Sequence, residues 1–275
     1  MRRIVFSLYN NISIPHQSVP QSKKDAFHEF YDRLVETQKQ YAYDCGADYI
    51  HYTPSIPDYD DIQFEKLYRF EELTEEYDEV VYLDLDVVPT TKENIFERHA
   101  SHAGVGVHFI EAKPYWGERI DGQWWVDVFN LDKMNRIVKM CCKDAMLMLE
   151  GKYMTGHNAI ANTGVLIGNK NSIQDFRLTE RIDFADKVFN EALWDNIYPE
   201  QIASKFAKNN EVYFSFIKEY FDITINPIGL GWNYIIDETF TTTQIGAHLH
   251  HVVNKDFAKF DSSLLQSQAC VGTLP

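Results

Sequence analysis

The segment Glu79-Val80-Val81-Tyr82-Leu83-Asp84-Leu85-Asp86-Val87-Val88-Pro89 carries two carboxylates at the end of an apolar run, and a proline then stops regular structure. On an extended strand, a spacing of two puts both side chains on one face. Carboxylates held that close repel each other, so a half-buried pair needs a compensating cation. Hard divalent cations take oxygen ligands of this kind. In open α/β sheets, ligands bind beyond the carboxyl ends of the strands. Asp84 and Asp86 are therefore expected to hold a metal ion against phosphate oxygens. The plainer reading of the same string is a pair of turn or capping aspartates at a strand end.

Other residues could share that chemistry. His248 and His250 lie two apart in a late apolar segment and share one strand face. Lys255 follows them, a point charge suited to phosphate. Asn162 precedes Thr163-Gly164, small residues that allow a ligand to approach the backbone. Tyr9 directly follows the first apolar run, placed to stack on a base. Tyr115-Trp116-Gly117 and Gln123-Trp124-Trp125 flank a polar loop whose aromatic faces could pack on sugar rings, although core packing explains tryptophans equally well.

The elements that must position these groups follow from periodicity. Ile4 to Leu8 and Ala47 to Tyr52 have strand length and composition. Lys23 to Cys45 has helical spacing, and Gly46 is placed to end it. Phe64 to Glu76 reads as a second helix, preceding the strand that ends in the carboxylates. Strand-helix-strand-helix-strand argues for a mostly parallel sheet flanked by crossover helices, an α/β fold. Further along, Gly104 to Phe109 and Ala161 to Gly168 read as strands. Leu131 to Leu149, Ser172 to Asn190 and Pro199 to Asn209 read as helices, and Gln244 to Val253 as a late strand. No repeat or linker divides the chain, so residues 1–261 are expected to form one domain, with 262–275 as a tail.

The 275 residues include 26 basic and 41 acidic side chains, a net charge of −15. A surface so negative repels polyanions at long range, which argues against nucleic acid and anionic membrane as partners. No run approaches the ~18 apolar residues of a membrane span. The apolar start is too short for a signal peptide. None of the four cysteines forms a C-x-x-C pair. These features lead to the expectation of a reduced, cytoplasmic protein.

Tyr82-Leu83-Asp84-Leu85-Asp86 resembles the Y-L-D-x-D signature of glycosyltransferases of the GT-A fold, most closely the family-eight, glycogenin-like and bacterial galactosyltransferase-like type. Further segments are similar in the same order. They are Lys66 on the preceding helix, Ala161-Asn162-Thr163-Gly164-Val165-Leu166-Ile167, Pro199-Glu200-Gln201, Gly229-Leu230-Gly231-Trp232-Asn233-Tyr234, and Ala247-His248-Leu249-His250-His251-Val252-Val253-Asn254-Lys255. The late segment departs from the family pattern: it has no glycine, and its lysine lies one residue further from His248. Glu200 replaces an aspartate.

The resemblance implies transfer of a hexose from a nucleoside diphosphate sugar, UDP-linked, to a hydroxyl of a saccharide or glycoconjugate, with retention of configuration. It implies Mn²⁺ or Mg²⁺ held by Asp84, Asp86 and either His248 or His250. Ser7, Tyr9, Lys66, Asp84, Leu85 and Lys255 would contact the nucleotide and donor, and Gln201 and Asn162 would face the reacting sugar. It points to a bacterial or viral origin.

Three other functions fit parts of the pattern. A phosphohydrolase of the haloacid dehalogenase type uses D-x-D after an apolar strand, with Asp84 as nucleophile, but that motif normally sits on the first strand of its fold. A nucleotidyltransferase needs a glycine-rich basic loop after the first strand, and Tyr9 to Val19 contains no glycine, arginine or lysine. A sugar-binding domain without turnover would not need the carboxylates, histidines and Lys255 together.

Overall fold

The computed structural model describes residues 1–9, 21–54, 59–111, 119–120, 123–124, 131–152, 159–194, 209–236 and 246–258. The first half runs β1 (Arg3–Leu8), α1 (Gln21–Asp44), β2 (Asp48–Tyr52), α2 (Tyr59–Glu72), β3 (Glu79–Leu83), β4 (Val87–Pro89) and β5 (Val105–Glu111). A two-stranded ribbon of β6 (Arg119–Ile120) and β7 (Gln123–Trp124) leads to α3 (Leu131–Leu149) and β8 (Ala159–Asn169). Then come α4 (Lys170–Phe176), α5 (Leu178–Trp194), α6 (Asn210–Tyr220), β9 (Ile225–Pro227), β10 (Tyr234–Ile236) and β11 (Leu249–Val252).

The central sheet has the order β2-β1-β3-β8-β5-β9. Five of its strands run in one direction, and β8 runs against its neighbours β3 and β5. The result is the expected mixed α/β architecture, a mostly parallel sheet flanked by helices.

Strand alternation divides the core into two layers. Ile4, Phe6, Val80, Tyr82, Val107 and Leu166 face a layer built with α2 to α6. Val5, Val81, Leu83, Val165 and Ile167 face the other way, onto Tyr41 and Ala42 of α1 and onto Ile95, Phe96 and Trp232. Strands buried on both faces read as continuous apolar runs, which is why β1 and β3 stand out in the sequence.

Several boundaries differ from expectation. Asp84 and Asp86 lie in a turn between β3 and β4, closed by the Val87 N–H donating to the Asp84 carbonyl at 2.9 Å, and not on the strand itself. The helix expected over Ser172 to Asn190 is two helices, broken where Arg177 adopts a left-handed conformation (φ 49°). The late strand is only four residues long. It joins a second sheet, β10-β11-β4, parallel to β10 and antiparallel to β4. Gly46 ends α1 with φ 67°, as its position suggested. Residues 199–208 of the helix expected over 199–209, and the tail 262–275, lie outside the described residues. No helix among the described residues is long and apolar enough to cross a membrane.

Candidate functional site

The turn after β3 is fixed from three sides. The buried Gln38 of α1 donates to the carbonyls of Asp84 (2.8 Å) and Val87 (2.9 Å). The Asp84 N–H donates to the Gly164 carbonyl of β8 at 2.8 Å. The Val252 N–H of β11 donates to the Asp86 carbonyl at 2.8 Å. The carboxylates are thus carried on a turn whose Asp84 N–H and whose Asp84 and Asp86 carbonyls are bonded to neighbouring elements.

His251 joins them. The antiparallel pairing of β11 with β4 sets His251 opposite Val87, so the late strand delivers an imidazole to the carboxylate turn. Its Nε2 lies 3.4 Å from Asp86 Oδ2 and 3.8 Å from Asp84 Oδ2. One ligand atom from each of Asp84, Asp86 and His251 falls within 4.8 Å of the others. Asp86 and His251 are buried and Asp84 is half-buried.

Two lysines flank this group. Lys66 of α2 donates to Asp84 Oδ1 at 3.1 Å, and Tyr82 donates to the same oxygen. Burial, with Asp84 alongside, pushes the Tyr82 phenol well above its ordinary value, so it stays a donor. Lys255 donates to Asp86 from a left-handed residue (φ 64°), and its ammonium also sits over the Phe27 ring at 4.7 Å. Burial alone would raise the Asp86 carboxyl, but the Lys255 ammonium beside it pulls it well below the usual carboxylate range. Asp86 is therefore ionised at neutral pH.

The histidines expected at the pair lie elsewhere. Leu249 and His251 project to one side of β11 and His248 and His250 to the other, so only one parity reaches the carboxylates. His250 pairs its Nδ1 with Thr90 Oγ1 at 2.9 Å and meets Tyr234 edge-on. His248 stacks on Trp232 at 4.3 Å between centroids. With Arg98, His99 and His102 it lines a cavity of about 510 Å³ that none of Asp84, Asp86 and His251 lines.

Asn162 is buried beside the group. Its Oδ1 accepts from the Gly164 N–H (3.1 Å) and from Asn233 Nδ2 (2.8 Å). Ser7 is buried within a polar chain, its hydroxyl 2.8 Å from Tyr49 Oη and 2.7 Å from His51 Nδ1. Tyr9 packs on Phe27 and Tyr31 at the end of β1. Leu85 projects into a small apolar cluster with Leu34, Val88 and Val252. Gln201, Glu200, Trp116 and Trp125 lie outside the described residues.

Sequence reasoning missed His251, Gln38 and Tyr82 as parts of the site. The signal for His251 was its parity within the triple-histidine segment. A neutral glutamine on a mid-chain helix gives no such signal.

No protein-family model matches the chain, and no curated protein matches its sequence. Among solved structures, it is similar to a glycosyltransferase involved in the glycosylation of the major capsid of PBCV-1, at 13% identity and a TM-score of 0.47, covering 97% of this chain and 100% of that one. It is similar to mouse xyloside xylosyltransferase 1 in its apo form, at 12% identity and a TM-score of 0.41, over 92% and 98% of the two chains. It is also similar to the galactosyltransferase LgtC in complex with donor and acceptor sugar analogs, at 13% identity and a TM-score of 0.42, over 99% and 97%. What the site can do rests on its own residues.

Proposed function

We propose that this chain is a metal-dependent glycosyltransferase of the GT-A type, moving a hexose from a UDP-linked donor to a saccharide hydroxyl. The observation that carries this reading is the convergence of Asp84, Asp86 and His251 between two lysines, at the turn that leaves the central strand β3. Three ligand atoms within 4.8 Å of one another, two of them carboxylate oxygens, favour a cation among them. Two carboxylates and an imidazole suit Mn²⁺ or Mg²⁺ better than a thiolate-seeking ion. Such an ion supplies Lewis acidity to a diphosphate leaving group.

The chain's own groups would do the rest. Asp84, Asp86 and His251 would hold the ion. Lys255, already within reach of Asp86, would turn its ammonium toward the departing diphosphate. Lys66 would hold the Asp84 carboxylate in orientation. Tyr9 and Ser7, at the end of β1, would contact the nucleotide, and Asn162 would approach the donor sugar. Gln201 would face the reacting sugar, and retention of configuration is part of the same proposal, on the sequence resemblance alone.

The phosphohydrolase reading gains nothing from the geometry. Asp84 follows the third strand of the chain, and both Lys66 and Tyr82 bond its Oδ1. The test is Asp86→Ala. Metal-dependent turnover of a nucleotide sugar should vanish while the protein stays folded. Retained turnover in a folded Asp86→Ala variant would remove Asp86 from the mechanism.

A further inference from the structure

Asn233 is fully buried and engages His251 and Asn162 together. The direction of each hydrogen bond can be worked out from a backbone amide. The Gly164 N–H can only donate, so the Asn162 atom 3.1 Å away is its carbonyl oxygen. That oxygen lies 2.8 Å from Asn233, whose facing atom must therefore be the amide nitrogen. The same nitrogen also reaches the Asn162 main-chain carbonyl at 3.3 Å. The other end of the Asn233 amide is then its oxygen, an acceptor, and it lies 3.2 Å from His251 Nδ1. An acceptor there requires the proton on Nδ1. In the neutral ring the lone pair is left on Nε2, the atom that faces Asp86 and Asp84.

We propose that Asn233 is a positioning residue that fixes His251 in the Nδ1–H tautomer and presents Nε2 as a metal ligand. It acts through His251 and touches neither metal nor substrate. Gly164 closes the other side of the slot, because a Cβ at that position would lie 2.6 Å from His251 Nδ1. The ring is thus held in orientation by packing and in tautomer by one amide. That amide is in turn oriented by Asn162, so a residue placed for the donor sugar and a residue placed for the metal share one hydrogen-bonded unit. The ligand role of His251 rests on the metal site proposed above; the tautomer does not.

The test begins on the metal-free protein, labelled with ¹⁵N-histidine and held at mildly alkaline pH. Long-range ¹H–¹⁵N correlations, with the His251 signals identified by their loss in His251→Gln, should show a protonated Nδ1 and a bare Nε2. A proton on Nε2 overturns the inference, even in a protein that binds metal normally. The second measurement is Mn²⁺ affinity, followed by the electron paramagnetic resonance of free Mn²⁺. Asn233→Leu should weaken binding by roughly 10- to 100-fold. Asn233→Asp, whose carboxylate still accepts from Nδ1–H but loses both bonds to Asn162, should fall between Asn233→Leu and the parent. Equal affinity in the parent and a folded Asn233→Leu overturns the inference, and if that variant does not fold the tautomer measurement still decides. A parent protein with Nδ1–H that binds no Mn²⁺ would sink the metal site and leave the tautomer assignment standing.

Discussion

Replacing Gly164 by alanine should damage the site by a route that involves no charge. The added Cβ would lie 2.6 Å from His251 Nδ1, closer still to Cε1, and 3.0 Å from Asn162 Oδ1. Neither neighbour is a flexible chain end: the imidazole is buried, and both groups are tied to Asn233. Cε1 starts at 2.3 Å, so to restore an ordinary contact of about 3.5 Å the ring must retreat by about 1.2 Å. Metal–ligand distances tolerate roughly 0.2 Å, so a His251 moved that far no longer completes the set with Asp84 and Asp86. Overpacking of this kind also costs about 1–3 kcal/mol of stability. The expected result is a lower melting temperature and a Mn²⁺ affinity reduced on the order of 10- to 100-fold, read by calorimetric titration of the folded protein. Gly231→Ala is the control, because a Cβ there meets only ordinary contacts, 3.6 Å from His248 and 3.8 Å from the Gly246 carbonyl. It should leave metal affinity unchanged. A Gly164→Ala protein that melts and binds Mn²⁺ like the parent would refute the packing logic and, with it, the slot assigned to His251.

Lys255→Met should weaken UDP binding in the presence of Mn²⁺ by tenfold or more while leaving affinity for the metal alone undiminished, measured by paired titrations; equal loss of both would make Lys255 a purely structural partner of Asp86. Lys143 is fully buried and bonded to Glu219 at 2.7 Å, with Asp144 at 3.3 Å. Glu219→Ala should therefore cost about 1.5–3 kcal/mol in urea unfolding, since it removes the shorter of the two carboxylate bonds to a buried charge. His99 is held down to about 4 by its burial and by the nearby His102, Arg98 and His248. The unfolded chain then binds a proton that the folded chain refuses, so stability should fall as pH drops from about 6.5 toward 4. In His99→Gln that part of the melting-temperature profile should flatten. Asp86 has the same sense in a lower window, with a depressed carboxyl whose contribution is complete above the unfolded value of about 3.9 and is lost as acid takes the pH down through its folded value.

The sequence made the parts of the fold that depend on local pattern readable. β1 and β3 are apolar on both faces and α1 repeats at helical spacing. The Leu131–Leu149 helix has the bounds its periodicity suggested. The direction of β8 was not readable, because a strand's polarity in the sheet depends on the path of the chain between strands. Nor was the α4–α5 break at Arg177, since nothing in Phe176-Arg177-Leu178 marks a left-handed residue. The helix Asn210–Tyr220 went unread. In the site, Asp84, Asp86, Lys66 and Lys255 come together from three separate segments that the sequence had singled out. The sequence singled out His248 and His250 whereas His251 lies beside the carboxylates, because three histidines within four residues differ only in parity. Parity is set by the register of β11 against β4, a long-range pairing that the local sequence does not encode. Gln38 and Asn233 were invisible as supports because they act through hydrogen bonds across 46 and 49 positions of chain for Gln38 and 18 and 71 for Asn233.

The most direct test of the central claim is a thermal-shift and product screen of UDP-, GDP- and TDP-sugars, with and without Mn²⁺, on the full chain. The account predicts stabilisation by a UDP-sugar only when Mn²⁺ is present, with slow release of UDP. Indifference to every sugar nucleotide, together with Mg²⁺-dependent hydrolysis of a simple phosphomonoester, would contradict it and make Asp84 a nucleophile.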